Sequence, residues 1–225
     1  KVLSGNRLFC VIPVGRVGND GPGVELLRQM ETVGLDTRYV KKTEKAPILF
    51  AVCFQFPDGS GGNLTPNNSA CATLTPHNLD EIEPLLGRYG GQAMVLAAPE
   101  VPLETRANLL ERGTRHGCYR VASFVRGEIA MARQMGLWKS VDMLAFNEEE
   151  AAAWAKYGGT PKWNTSFQMA LQRHLDQVSS GLRLIVTLGP QGVVGYEGGR
   201  WVHLEAVPAP VVSTAGAGDT LLGAV

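Results

Sequence analysis

The stretch Ser213-Thr214-Ala215-Gly216-Ala217-Gly218-Asp219-Thr220 joins an extended run from Val207 to Ser213 to the small and apolar row Leu221 to Val225. That row predicts the first turns of a buried helix. Gly216 and Gly218 lack side chains and Ala217 carries only a methyl group, so a ligand can come close to the backbone there. The first N–H groups of a helix have no partner within it, and the macrodipole places roughly half a positive charge at that end. An anion is the expected guest. A carboxylate at the mouth of such a site repels that anion, so Asp219 is better suited as a base facing a hydroxyl about to attack a phosphoryl group. The plain alternative is a tight turn whose acidic residue complements the helix dipole. Two nucleotide motifs do not fit. Gly223 has the wrong spacing for G-x-G-x-x-G, and no lysine follows a glycine as a P-loop requires.

Two further stretches carry polar groups at the ends of apolar runs. Val141 to Phe146 predicts a strand that delivers Asn147-Glu148-Glu149-Glu150 to the start of a helix from Ala151 to Tyr157. Dipole complementarity alone would produce such an acidic first turn. In open α/β sheets, however, ligands sit beyond the carboxyl ends of strands. Leu182 to Leu188 predicts another strand, ending in Thr187-Leu188-Gly189-Pro190-Gln191-Gly192. A hairpin follows, pairing Val193 to Tyr196 with Trp201 to Leu204 across Glu197-Gly198-Gly199-Arg200. His174 lies on the apolar stripe of a helix from Ser166 to Val178 without ligand-type partners at a suitable spacing, and is expected to pack at the core edge.

The elements that must position these groups alternate strand and helix. Val11 to Gly15 predicts a buried strand, and Gly15 to Gly23 a turn-rich segment. A helix then carries Leu26, Leu27, Met30 and Val33 inward until Gly34 closes it. Arg38 to Lys42 and Ile48 to Phe56 predict strands, and Gly59 to Asn68 predicts a loop. Asn78 to Leu86, Leu103 to His116 (Leu109 and Leu110 inward) and Ser123 to Met135 predict helices, and Ala93 to Ala98 a strand. The repeated spacing argues for a doubly wound, mainly parallel α/β sheet flanked by helices. No linker, repeat or low-complexity tract divides residues 1–225, so one large domain is expected.

Basic and acidic residues balance at 21 each, which gives no electrostatic reason to expect nucleic acid or an anionic membrane as a partner. Cys10, Cys53, Cys71 and Cys118 are scattered and form no C-x-x-C pair, consistent with free thiols in a cytoplasmic protein. Three N-x-S/T tripeptides begin at Asn63, Asn67 and Asn164, with no other sign of secretion. No apolar run is long enough for a bilayer span, and no leader is visible.

Thr214 to Asp219 resembles the C-terminal signature D-T-x-G-A-G-D of the ribokinase-like (PfkB) carbohydrate kinases, with Ser213 where the first Asp usually stands. Gly15 to Gly23 resembles the family's G-x-V-G-x-D-x-x-G, Gly34 to Thr37 its G-V-D-T, Asn147 to Glu150 its N-x-x-E, and Thr187 to Gly192 its T-x-G-x-x-G. The resemblance implies an ATP-dependent sugar kinase with Asp219 as catalytic base and the amides of Gly216, Ala217 and Gly218 as anion hole. It implies that Asn147, Thr187, Gly189 and Gly192 line the nucleotide site, and that Glu150 serves Mg²⁺ through bound water. It further implies a ribokinase-like fold whose small β lid includes residues 1–6 and 38–56, a sugar and ATP as small-molecule partners, and a homodimer through the lid as an arrangement open to it. Ser213 in place of a carboxylate predicts little activation by potassium. The family's G-G-x-x-x-N segment has no counterpart between Asn6 and Val11, and the chain ends inside the helix that Asp219 begins, so an incomplete domain is expected. Two rival readings stand beside this one: a nucleoside or vitamin kinase of the same fold, and a non-catalytic ligand-binding or regulatory protein.

Overall fold

The structure is a computed structural model that describes residues 10–56, 61–178, 181–208 and 216–224. The chain divides into two units, Lys1–Pro84 with Glu100–Thr105, and Leu85–Pro99 with Arg106–Val225.

In the first unit, β1 (Gly15–Gly18) runs parallel to β2 (Val40–Thr43), Gly15 facing Val40, with α1 (Gly21–Thr32) between them in the chain. Asp20 caps α1: one carboxylate oxygen accepts from the Gly23 N–H at 2.9 Å and the other from the Ile48 N–H at 2.9 Å. The expected strand at Val11 to Gly15 therefore lies later. Pro13 has no N–H for a ladder, while the pairing with β2 recruits Gly15 to Gly18. Of the expected α1 stripe only Leu27 is buried. Leu26 and Val33 stay exposed.

The strand expected from Ile48 to Phe56 narrows to β3 (Val52–Gln55), and the expected loop contains β4 (Gly61–Leu64), its antiparallel partner. Two glycines give β4 no strand signature of its own. Pairing supplies it, and Gly62 sits against the ring of Phe54, whose nearest atom is 3.1 Å from where a Cβ would stand. The helix expected at Asn78 to Leu86 is a 3₁₀ turn, Pro76–Ile82, followed by α2 (Glu83–Tyr89). Pro84 cannot donate, which favours a helix start there.

The second unit is built on a six-stranded sheet. Its strands are β5 (Met94–Ala97), β6 (Tyr119–Ser123), β7 (Met143–Asn147), β8 (Arg183–Thr187), β9 (Val193–Glu197) and β10 (Arg200–Leu204), side by side in chain order. The first four are parallel and the last two antiparallel. The helices are α3 (Leu103–Arg115), α4 (Ile129–Gln134), α5 (Glu148–Trp154), α6 (Thr165–Val178) and α7 (Ala217–Leu222). The expected helix at Ser123 to Met135 is thus corrected. Ser123 ends β6, whose neighbours on both sides stabilise it, and α4 begins only after a turn closed by Glu128 on the Val125 N–H. The helix expected at Ala151 to Tyr157 starts earlier, at Glu148, because Asn147 caps it. Leu110 is fully buried and Leu109 half-buried, while α6 buries Phe167, Ala170, Leu171 and Leu175. The hairpin of β9 and β10 forms as expected, with Gly198 and Gly199 at positive φ in its turn.

Candidate active site

The carboxyl ends of β7 and β8 bring two of the expected stretches together, since Asn147 stands directly opposite Thr187 in the ladder. Asn147 is in extended backbone and its side-chain oxygen accepts from the Glu150 N–H at 2.9 Å, while Glu150 Oε2 accepts from the Asn147 N–H at 2.9 Å. This reciprocal box starts α5 and fixes both side chains. It leaves the Asn147 amide group and Glu150 Oε1 for other partners. Burial pushes the Glu150 carboxyl above its ordinary range, the hydrogen bond from Asn147 opposes this, and the negative charges of Glu128 and Glu148 add to it.

Past Thr187 the chain forms a 3₁₀ turn, Gly189–Gln191. It closes on itself: the Leu188 N–H donates to Gly192 O at 2.8 Å, the Gln191 N–H to Leu188 O at 3.0 Å, and the Gly192 N–H to Gly189 O at 3.0 Å. Gly192 has φ 91° and ψ −133°. A Cβ there would stand 2.0 Å from Leu204 O and 2.7 Å from Ala206 N, so the sequence needs glycine where the end of β10 passes. Glu148, to which the sequence gives no role, reaches this turn: its Oε1 is 3.9 Å from where a Gly189 Cβ would be.

The Gly-Ala-Gly-Asp stretch is arranged differently. Ser213, Thr214 and Ala215 lie outside the described residues, as do the proposed lid strand at residues 1–6 and the end of the extended run. Gly216 is left-handed at φ 78° and caps α7, accepting from the Thr220 N–H at 2.9 Å and from the Thr220 hydroxyl at 2.8 Å. Asp219 stands exposed in the first turn of α7. The helix is short, and Ala217 to Thr220 are exposed rather than buried among the described residues. A Cβ at Gly218 would meet nothing within 4 Å among the described residues, so packing does not explain that glycine. Among the described residues no hydrogen bond joins Gly216–Asp219 to Asn147, Glu150 or the Gly189 turn.

No group of three His, Cys, Asp or Glu side chains suited to a metal occurs among the described residues. Glu150 fits one mode of Mg²⁺ binding, in which one carboxylate acts together with waters and phosphate oxygens. His174 packs at the core edge, where the sequence puts it. Its ring meets Trp154 edge-on at 4.4 Å, and burial pushes its pKa down to about 4. Sequence reasoning also passed over Arg106, which is 2% exposed, pairs with Glu128 at 2.5 Å and donates to Ser123 O. A lone arginine on α3 gives no sign in the sequence that it turns inward. The cysteines are unpaired among the described residues, and no described helix is long and apolar enough to cross a membrane.

Comparison with known proteins gives the fold and the family of this chain. Among curated proteins, ribokinase of Staphylococcus aureus (strain COL) is 25% identical over 213 residues, covering 94% of this chain and 66% of its own length. Deoxyribokinase of Salmonella typhi is 28% identical over 215 residues, covering 95% of this chain and 66% of its own length. The chain thus spans just under two thirds of these relatives. Among solved structures, ribokinase from Giardia lamblia superposes with a TM-score of 0.79 at 20% identity, covering 94% of this chain and 64% of that one. Arabidopsis thaliana ribokinase complexed with ribose and ATP gives 0.75 at 20% identity, covering 98% and 69%. These likenesses show the ribokinase-like α/β fold. Residues 6–225 match the family described as pfkB family carbohydrate kinase, and the chain belongs to that family.

Proposed function

We propose that the protein transfers the γ-phosphoryl group of Mg·ATP to a carbohydrate hydroxyl. One observation carries this reading: Asp219 stands exposed in the first turn of α7, next to Gly218, where an added Cβ would meet nothing within 4 Å among the described residues. A base and a backbone-lined cradle side by side suit attack of a hydroxyl on a phosphoryl group. Asp219 takes the proton from the attacking hydroxyl, and the N–H groups of Gly216, Ala217 and Gly218 stabilise the charge on the transferring group. Thr187, Gly189, Gly192 and Asn147 hold the nucleotide at the sheet's carboxyl edge, as ligand placement in open α/β sheets predicts. Mg²⁺, when bound, screens the phosphate charge. Glu150 Oε1, which the capping box does not use, would hold it through water.

The named relatives act on ribose and deoxyribose, which favours a sugar over a nucleoside or vitamin acceptor. The hairpin of β3 and β4 fits the lid role. Val52, opposite Leu64 in the ladder, shares one face with Phe54, whose ring meets that of Phe56; all four are exposed, an apolar surface suited to a lid-mediated homodimer.

The test is Asp219→Asn, assayed for turnover across pentoses, hexoses and nucleosides and for ATP binding. The variant keeps the volume and the helix start, so ATP affinity should survive while phosphoryl transfer falls roughly 10²- to 10⁴-fold. A variant that retains most of the parent rate makes Asp219 structural. If the parent binds sugar or nucleotide and turns over nothing, the protein is a binding protein of this fold.

A further inference from the structure

The 3₁₀ turn Gly189–Gln191 already satisfies its own backbone, through three internal hydrogen bonds among Leu188, Gly189, Gln191 and Gly192. Its last residue is nevertheless held twice more, from two separate segments. The backbone N–H of Trp163, in the connection before α6, donates to Gln191 Oε1 at 3.1 Å. His203 on β10 meets the Gln191 carbonyl at 2.7 Å through Nε2. A carbonyl can only accept, so Nε2 carries the proton of this bond. The two anchors are themselves braced. The Trp163 ring lies 5.4 Å from Trp201 and 6.1 Å from His203, and the Trp201 indole N–H donates to Gln172 Oε1 on α6 at 2.8 Å. Neither bond is needed to close the turn. Both fix where the turn stands relative to α6 and β10.

We propose that Gln191 is a positioning residue for the nucleotide: clamped between Trp163 and His203, it holds the Thr187–Gly192 loop where phosphates are received. The inference rests on the kinase reading above and adds to it a residue that touches no ligand. Without the clamp the loop samples other orientations, and nucleotide binding must meet the cost of reordering it. Strand β10 is shared. It carries His203, passes Gly192 at Leu204, and leads on in sequence toward Gly216.

The experiment uses the full-length protein with Gln191→Met, which keeps length and removes the acceptor, and His203→Phe, which keeps a ring and removes the donor. Dissociation constants for Mg·ATP, KM for the sugar, melting temperature and amide exchange at Leu188 to Val193 are measured for each. Each variant should weaken nucleotide binding about two- to tenfold, the range expected for one hydrogen bond. Exchange at Gly192 should quicken, sugar KM should stay level, and melting should shift by no more than about 2 °C, the size that loss of a weak surface contact allows. The double variant should lose less than the product of the two, because both bonds restrain one turn. Parent-like nucleotide affinity in Gln191→Met, or affinity lost only alongside a matching loss of melting temperature, overturns the inference while leaving the kinase reading intact. A parent that binds no nucleotide defeats the kinase reading itself and this inference with it.

Discussion

Two glycines of this protein should answer the same substitution in opposite ways. At Gly192 an added Cβ would stand 2.0 Å from Leu204 O, 2.7 Å from Ala206 N and 2.8 Å from Glu205 C, all of them backbone atoms that cannot swing aside. The residue also has φ 91°, a region L side chains rarely adopt, which alone costs about 1–3 kcal/mol. Adding displacement of the chain after β10, Gly192→Ala should lose at least about 3 kcal/mol. At roughly 2–4 °C per kcal/mol for a domain of this size, that is a melting shift of about 6–12 °C. At Gly218 an added methyl meets nothing within 4 Å among the described residues, and the position lies in α7, where alanine is favoured over glycine by roughly 0.5–1 kcal/mol. Gly218→Ala should therefore melt at or slightly above the parent and yet lose phosphoryl transfer, because the methyl would occupy the place proposed for the anion. Calorimetry and a coupled kinase assay on both variants decide it. Gly192→Ala melting within about 2 °C of the parent refutes the steric argument, and a fully active Gly218→Ala refutes the anion cradle.

His174 is depressed from 6.5 to about 4, so the unfolded chain takes up its proton first: this contribution to stability is complete above pH 6.5, declines as pH falls toward 4, and levels off below. His174→Leu should flatten that part of the stability curve by about 2–3 kcal/mol relative to the parent, measured by urea unfolding from pH 7 to 4, and an unchanged slope refutes it. Arg106→Met strands Glu128 beside a core and should cost about 2–4 kcal/mol, with part recovered by adding Glu128→Gln; a single variant as stable as the parent shows that the pair is not needed. Asn147→Asp keeps the cap but adds a charge beside Glu148 and Glu150, so melting should hold within about 2 °C while Mg·ATP affinity falls; equal affinity removes Asn147 from the nucleotide site.

Strands β7 and β8 are the most legible elements, because they are buried and announce themselves as continuous apolar runs: Leu144, Phe146, Leu184 and Val186 are at most 3% exposed. Local chemistry served equally well in the hairpin turn at Gly198-Gly199. What failed was structure held by distant partners. Strand β4 is formed from Gly61 and Gly62 only because β3 lies beside them, and β6 has no strand signal of its own, its last residue Ser123 reading as the start of a helix, because its ladder is supplied by β5 and β7. In the candidate site, the residue types were readable and the joins were not. The opposition of Asn147 to Thr187 follows from a strand register that no local pattern encodes, and the reach of Glu148 to the Gly189 turn follows from that register in turn. Gln191 and Arg106 were invisible for the same reason, since their partners stand 28 and 22 residues away.

The start of α5 shows why helix caps and ligand sites are hard to tell apart from sequence. Asn147 and Glu150 would be selected by the capping box alone: each satisfies a backbone N–H of the other. Yet the box consumes only one oxygen of each side chain, and in doing so holds the remaining Asn147 amide group and Glu150 Oε1 in fixed positions at the end of β7. A site needs that fixation, because side chains already ordered lose little entropy when a ligand arrives. Burial and the neighbouring Glu128 and Glu148 disfavour the charged form of Glu150, so a cation beside Oε1 gains more there than beside an exposed carboxylate. The cap is thus the means by which the helix presents its free atoms. Removing it with Asn147→Ala would confound stability with binding, whereas Asn147→Asp keeps the capping oxygen and alters the group left outside the box, and that group is the one proposed to face the nucleotide.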